Sequence, residues 1–97
     1  MKNKRKVLLE EMTWNEVQEA IKNGINTVLV IAGSIEQHGP HLPIGTDTIL
    51  GYEWGKAIAL ELGNAVVAPV IRPALSAHHL GFPGTITLSK YTFQDVV

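Results

Sequence analysis

Two loops of the sequence hold most of the side chains that could bind a metal ion. The first loop, residues 33–47, contains Glu36, His38 and Asp47. Glu36 and His38 are two residues apart, so in extended backbone their side chains leave the same face. A carboxylate and an imidazole on one face are suitable ligands for Zn²⁺, Mn²⁺ or Fe²⁺. Asp47 follows at the predicted start of a helix, where the helix dipole favours a carboxylate even without a metal.

The second loop, residues 72–85, holds the remaining imidazoles. All four histidines of the chain lie in the two loops: His38, His41, His78 and His79. If both loops follow strands of a parallel sheet, they meet at one edge of that sheet. Simpler interpretations remain open on spacing alone, because Asp47 could be a helix N-cap and Glu36 a solvated surface residue. A histidine in a loop could likewise be an ordinary hydrogen-bonded polar group.

Helix signals surround these loops. The spacing of apolar residues predicts a helix over residues 14–22, with Thr13 as N-cap, Glu16 completing a capping box and Gly24 ending it. A second helix is predicted over residues 48–62. Its apolar residues form one stripe, of the kind that faces a core: Leu50, Trp54, Ala57, Ile58 and Leu62.

Two apolar runs predict strands next to these helices. Residues 27–32 form a continuous β-branched run, which predicts a strand covered on both faces, as in a parallel sheet. Residues 64–70 predict a second buried strand. A short extended piece is expected at residues 85–88, and a third helix begins near Lys90 after the N-cap Ser89. The β-α-β order predicts an α/β fold.

The composition narrows the classes of function. The 97 residues contain no cysteine, which excludes disulfides, thiolate metal sites and cysteine nucleophiles. Their formal net charge is −1, so we expect no nucleic-acid partner. The longest apolar run is too short to cross a bilayer, so no membrane partner is expected. The lack of cysteine is compatible with a reducing cytoplasm, which is the expected location.

A family resemblance adds to these observations. The run from Gly33 to Thr48, Gly-Ser-Ile-Glu-Gln-His-Gly-Pro-His-Leu-Pro-Ile-Gly-Thr-Asp-Thr, closely resembles the first signature of the creatininase (creatinine amidohydrolase) family. The second loop, from Ser76 through Phe82-Pro83-Gly84-Thr85-Ile86, resembles that family's next signature. The two occur in the family's order, and a sixteen-residue match is far more specific than a short glycine motif.

The resemblance implies a fold and a ligand set. The implied fold is a three-layer α/β/α creatininase-like structure with a mainly parallel sheet, of which only the front part is present. The implied site is a dinuclear metal centre in which Glu36 binds one metal, His38 binds the other and Asp47 bridges them. His79 matches a histidine of the second signature and is the candidate catalytic residue. His78 stands where many members carry an acidic residue.

The resemblance also implies a reaction. Family members are divalent-metal-dependent amidohydrolases, and the expected reaction is cleavage of a cyclic amide or formamide C–N bond through a metal-bound hydroxide. The expected cofactor is Zn²⁺, with Mn²⁺ or Fe²⁺ as alternatives. The expected substrate is a small-molecule amide.

The resemblance covers only the front part of the family domain. The later Asn-Gly-His motif that normally carries further ligands is absent, so residues 1–97 are predicted to be one incomplete domain, inactive by itself. We expect a homo-oligomer, or a partner that supplies the missing C-terminal part. The alternative is a non-catalytic remnant that binds metal or self-associates. A plain α/β domain whose loops only look like ligands is a third possibility.

Overall fold

The computed structural model describes residues 5–97. In chain order its helices and strands are α1 (Trp14–Lys22), β1 (Thr27–Leu29), α2 (Thr46–Leu62), β2 (Ala65–Val67) and α3 (Lys90–Val96), with 3₁₀ turns at Leu9–Glu11 and Ala77–His79. Two compact units form: residues 5–31 with 52–70, and residues 32–51 with 71–97. Helices that alternate with a parallel strand pair confirm the α/β class, whereas the single domain over residues 1–97 stays a prediction.

Helix α1 has the predicted bounds because its N-terminus is fully capped. The Thr13 hydroxyl accepts the Glu16 N–H, and the Glu16 carboxylate accepts the Thr13 N–H at 2.9 Å. Lys6 Nζ lies 3.0 Å from the same carboxylate. Gly24 follows the helix with φ +102°, a conformation that side-chain-bearing residues rarely adopt. The helix therefore begins and ends where the sequence signals place it.

The first unit contains a parallel strand pair. Strand β1 pairs with β2 in the register Thr27 with Ala65 and Leu29 with Val67. Leu8 adds an isolated parallel bridge to Val67. Strand β2 is buried along its whole length, although it is shorter than the predicted residues 64–70. The core cluster of this unit consists of Val7, Ala59, Ala65 and Val67.

Strand β1 departs from the prediction in length and in burial. The strand stops at Leu29, although Ala32 makes one further bridge. Val28 is 51% exposed and Val30 is 63% exposed, so coverage on both faces is wrong for this strand among the described residues. Leu29 and Ile31 pack against the core instead. Alternate side chains of a strand point to opposite faces, and a uniformly apolar run does not reveal which face is covered.

Helix α2 packs through its smallest residues. It begins two residues before the predicted start, and its predicted apolar stripe is exposed: Leu50, Trp54, Ala57, Ile58 and Leu62. The buried positions include Gly55 and Ala59. A Cβ at Gly55 would lie 2.7 Å from Ile31 Cδ1 and 3.0 Å from Val67 Cγ1. Close approach of the helix backbone to these side chains requires a glycine, and the five stripe residues lie away from this contact.

The second unit joins the two polar loops through backbone hydrogen bonds. Gly33 N–H donates to the Ile71 carbonyl at 2.8 Å, next to a parallel bridge between Ala32 and Ile71. Ile86 N–H donates to the Ile35 carbonyl at 3.0 Å in an antiparallel bridge. Residues 32–36 therefore lie between the second loop and the extended piece that follows it.

Helix α3 begins where Ser89 predicts. The Ser89 hydroxyl accepts the Thr92 N–H at 3.1 Å, which satisfies one of the free donors of the first turn. Among residues 5–97, no helix is both long and apolar enough to cross a membrane.

Candidate metal centre

The second unit brings Glu36, His38 and Asp47 together. One ligand atom from each residue lies within 4.8 Å of the others. Glu36 and His38 follow the bridge at Ile35, and the Glu36 N–H donates to the Ile44 carbonyl at 3.0 Å. Asp47 is the second residue of α2. Two carboxylates and one imidazole at this separation match the ligand types of a divalent-metal site.

Asp47 is held as an anion. The Ser34 hydroxyl donates to Asp47 Oδ2 at 2.5 Å, and His38 Nε2 lies 3.2 Å from the same oxygen. The Ser34 hydrogen bond lowers the pKa of Asp47 below its ordinary value of 3.8, burial opposes this, and the nearby His38 lowers it further. A carboxylate that is ionised at neutral pH is ready to bind a cation.

His38 has a buried nitrogen that lacks a hydrogen bond. Its Nε2 atom is inaccessible to solvent and has no hydrogen-bond partner among residues 5–97. The 3.2 Å contact with Asp47 is close, but its direction does not make it a hydrogen bond. An unsatisfied buried polar atom costs about 1–3 kcal/mol. Ligand atoms about 2.1 Å from one ion lie about 3.0–3.4 Å apart, so this nitrogen and oxygen are spaced like two ligands of one cation.

Glu36 has the same kinds of neighbouring side chains as Asp47. The Ser76 hydroxyl donates to Glu36 Oε1 at 2.6 Å, and His79 Nε2 lies 3.4 Å from Oε2. Ser76 is completely buried, and its own N–H donates to Thr87 Oγ1 at 2.8 Å. Ser34, which holds Asp47, is also buried.

Two serine–carboxylate–histidine groups result. We call Ser34, Asp47 and His38 the Asp47 group. We call Ser76, Glu36 and His79 the Glu36 group. In each group a buried serine hydroxyl donates to the carboxylate and an imidazole lies on it, so each carboxylate is oriented before any ligand arrives.

The second loop contributes a further set of possible ligand atoms. Glu36, His78 and His79 each place one within 4.8 Å of the others. The two imidazole rings are 4.2 Å apart, and His78 is exposed. Gln37 Nε2 lies 3.2 Å from His79 Nδ1, so the second ring nitrogen of His79 also has a neighbour. His79, which the family resemblance made the candidate catalytic residue, therefore lies beside Glu36.

His41 lies outside both sets of ligand atoms. It is exposed, and its ring lies beside Gly39, which has φ +78°. A Cβ at Gly39 would lie 3.0 Å from His41 Cε1. The structure therefore places His41 at the tight turn that Gly39 makes.

Gly33 allows the first loop to approach α2. A Cβ at this position would lie 2.7 Å from Thr48 Oγ1 and 2.9 Å from Thr48 Cα. Thr48 is buried, and its hydroxyl donates to the Ser34 carbonyl at 3.2 Å. This contact holds the start of the loop against the helix turn that carries Asp47.

Sequence reasoning missed Ser34, Ser76 and Gln37. Each makes a hydrogen bond to a residue far along the chain, at a separation of 13, 40 and 42 residues respectively. The signal that could have found the two serines is a small hydroxyl-bearing residue shortly before each cluster of acidic or histidine side chains in the sequence. Both serines lie within the quoted signatures.

Comparison with known proteins places this geometry in a family. The sequence profile of the creatininase family, described as creatinine amidohydrolase, matches residues 10–97. The chain belongs to the creatininase family. The resemblance of the two loop signatures is therefore confirmed over almost the whole chain.

Curated relatives of this creatininase-family chain are hydrolases. It is 33% identical to 3-dehydro-scyllo-inosose hydrolase of Thermotoga maritima over 92% of its length, and 44% identical to mycofactocin precursor peptide peptidase of Mycolicibacterium smegmatis over 69%. It is 28% identical to creatinine amidohydrolase of Pseudomonas putida over 96%. The chain spans 28%, 29% and 37% of the lengths of these three relatives.

Solved creatininases share the fold. A structure titled as a manganese creatininase superposes with a TM-score of 0.79 at 29% identity, covering 91% of this chain and 36% of the other. A mutant creatininase complexed with creatine gives a TM-score of 0.82 at 27% identity, covering 95% and 37%. Another mutant is of the Zn–Zn type. The likeness confirms a creatininase-like α/β fold, represented by its front part.

Proposed function

We propose that this chain supplies Glu36, His38 and Asp47 as ligands to a divalent-metal centre in a hydrolase of small-molecule amides. The buried, unpartnered Nε2 of His38 carries the proposal, because it lies 3.2 Å from an ionised carboxylate without forming a hydrogen bond. Zn²⁺ or Mn²⁺ suits two carboxylates and one imidazole. Related creatininase structures include a Mn form and a Zn–Zn form.

The residues of the chain would act by binding and orientation. Asp47 and Glu36 supply carboxylate oxygens, each held by a serine hydroxyl, and His38 supplies an imidazole nitrogen. When bound, a divalent cation supplies Lewis-acid polarisation of an amide carbonyl and activates water as a nucleophile. Three ligands leave coordination positions open. We propose that further ligands from outside residues 1–97 complete the catalytic centre.

The family and the space beside the site support a proposal for the substrate class. A pocket of about 340 Å³ adjoins Gln37 and is lined by Gly39, Pro40, Ile44, Phe82 and Pro83. This volume suits a small, compact ligand. We propose a cyclic amide or a formamide, whose C–N bond is cleaved.

Calorimetric titration of the metal-free chain with Zn²⁺ tests the metal centre. We expect one strong site, and Glu36→Gln and Asp47→Asn should each weaken binding at least about a hundredfold, because each removes a charged ligand while keeping its shape. The matched control is His41→Ala, an exposed histidine of the same loop, which should bind like the wild type. Equal affinity in all four proteins would contradict the proposal.

A second candidate is a non-catalytic module that binds metal and self-associates. The exposed apolar residues Val28 on β1, Val30 just after this strand and Trp54 on α2 favour this alternative, because such surfaces tend to be covered by a partner. Hydrolysis assays with creatinine and formamides distinguish the two candidates. Turnover when the C-terminal portion of a creatininase relative is added supports the hydrolase, and none under any condition supports the module.

A further inference from the structure

The side chain of Gln37 is oriented from both ends. Its Oε1 atom accepts the Gly39 N–H at 2.8 Å, and its Nε2 atom lies 3.2 Å from His79 Nδ1. A backbone N–H can only donate, so it fixes which end of the amide is oxygen. The NH₂ end of Gln37 therefore faces the imidazole of His79.

This orientation decides where His79 carries its proton. The NH₂ group of Gln37 can only donate, so His79 Nδ1 must accept and is unprotonated. In the neutral ring the proton then resides on Nε2. That nitrogen lies 3.4 Å from Glu36 Oε2, while the Ser76 hydroxyl occupies Oε1.

The same tautomer opposes metal binding by His79. An imidazole binds a cation through an unprotonated nitrogen, and here Nε2 carries the proton while Nδ1 is taken by Gln37. If His79 bound a cation through Nε2, its proton would move to Nδ1, which faces the NH₂ group of Gln37. Two donors would then face each other, so the contact between Gln37 and His79 would break or the amide would turn away from Gly39. The set formed by Glu36, His78 and His79 is therefore poorly prepared to hold a second cation.

We propose that His79 is a positioning residue for Glu36, with its tautomer set by Gln37. The Nε2–H group faces the carboxylate and steers it, and this inference rests on the proposed role of Glu36 as a metal ligand. The 3.4 Å separation exceeds an ordinary hydrogen bond. The expected contribution to metal affinity is therefore at the low end of the range for groups that orient a ligand, about tenfold.

Two-bond ¹H–¹⁵N NMR of the imidazole rings in the metal-free full chain tests the tautomer. At about pH 8, where unperturbed imidazoles are neutral, His79 should show a protonated Nε2 and an unprotonated Nδ1. The spectrum of His79→Gln assigns the signal. In Gln37→Glu an acceptor replaces the NH₂ group, so Nδ1 should gain a proton. A wild-type proton on Nδ1, or an unprotonated Nδ1 in Gln37→Glu, overturns the proposal.

Zn²⁺ titration tests the positioning role. His79→Leu should weaken binding about tenfold, whereas His79→Gln, which keeps an N–H donor near the position of Nε2, should stay within about threefold of the wild type. The matched control is His41→Leu, an exposed histidine outside both sets of ligand atoms, which should not change the affinity. Circular dichroism checks that each variant is folded.

The outcomes separate this proposal from the function on which it rests. If the wild type binds no Zn²⁺, the proposed metal centre fails, and the NMR experiment still decides the tautomer. If the wild type binds and His79→Leu binds equally well, the positioning role is overturned while the metal centre stands. Two Zn²⁺ ions in the wild type and one in both His78→Leu and His79→Gln would show that the second loop is a cation site and overturn the proposal.

Discussion

The Asp47 group and the Glu36 group contain the same three kinds of side chain but hold their imidazoles differently. His38 has a buried Nε2 that lacks a partner among the described residues, and this nitrogen faces the Asp47 carboxylate. In the Glu36 group, Gln37 contacts Nδ1 of His79, so the proton of this ring is on Nε2, which faces Glu36. In our proposal, one imidazole binds a cation and the other orients a carboxylate.

This difference shows how similar triads acquire separate tasks. The serine hydroxyl fixes the carboxylate in both groups, so the carboxylate alone does not set the role of the histidine. What distinguishes the two is the neighbour of the second ring nitrogen. A glutamine between Glu36 and His38 in the sequence provides that neighbour for His79 but not for His38.

The largest expected effect comes from exchanging each histidine for glutamine. His38→Gln should weaken Zn²⁺ binding at least about a hundredfold, because an amide is a poor replacement for a nitrogen ligand. The identical change at His79 keeps a donor and should cost less than about threefold. Calorimetry on the two variants measures the contrast, and equal losses would abolish the distinction between the groups.

The two serines allow a matched test of the carboxylates. Ser34→Ala and Ser76→Ala should each weaken Zn²⁺ binding about tenfold, because each frees a carboxylate ligand that the hydroxyl orients. Thermal unfolding of the metal-free variants checks that both are folded. A loss confined to Ser34→Ala would show that Glu36 does not need its serine hydroxyl to bind the metal, and would end the equivalence of the two serines.

The smallest expected effect is on the pH dependence of stability. The folded-state pKa of Asp47 is lowered, so its contribution is present above its unfolded pKa of about 3.8 and is lost as the pH falls through the lower folded value. Because the side chain is 39% exposed, solvent screens the interaction and the contribution is small.

A comparison of the stabilities of chelator-treated wild type and Ser34→Ala measures this contribution of Asp47. Denaturant unfolding from neutral to strongly acidic pH should show a stability difference that shrinks as Asp47 becomes protonated. The Ser76→Ala variant leaves the Ser34 hydrogen bond in place and serves as the control. A difference between wild type and Ser34→Ala that is constant with pH would show that the hydroxyl does not act through the charge of Asp47.

Local sequence signals predicted the parts of the structure that depend on neighbours along the chain. The capping box of Thr13 and Glu16 gave the bounds of α1, and Ser89 gave the start of α3. The polar loop after β1 likewise identified Glu36, His38 and Asp47 as residues that could meet, and the structure places them together.

The failures depend on contacts across the fold. The apolar stripe of α2 suggested a buried face, but the helix is buried at Gly55 and Ala59, because small residues permit a closer approach than large ones. No pattern within the helix indicates which of the two faces has a neighbour. The roles of Ser76 and Gln37 were equally hidden, since their partners lie 40 and 42 residues away.

The missing side chain of Gly33 has a consequence for the choice of ion. Any added carbon would push against Thr48, 2.7 Å away at its nearest atom, and would force the loop and the first turn of α2 apart. Glu36 and His38 lie on that loop and Asp47 on that turn, so the gap between them sets the radius of the cation they can enclose. An alanine at this position would shift the preference from compact ions such as Zn²⁺ toward slightly larger ones such as Mn²⁺, without altering a single ligand.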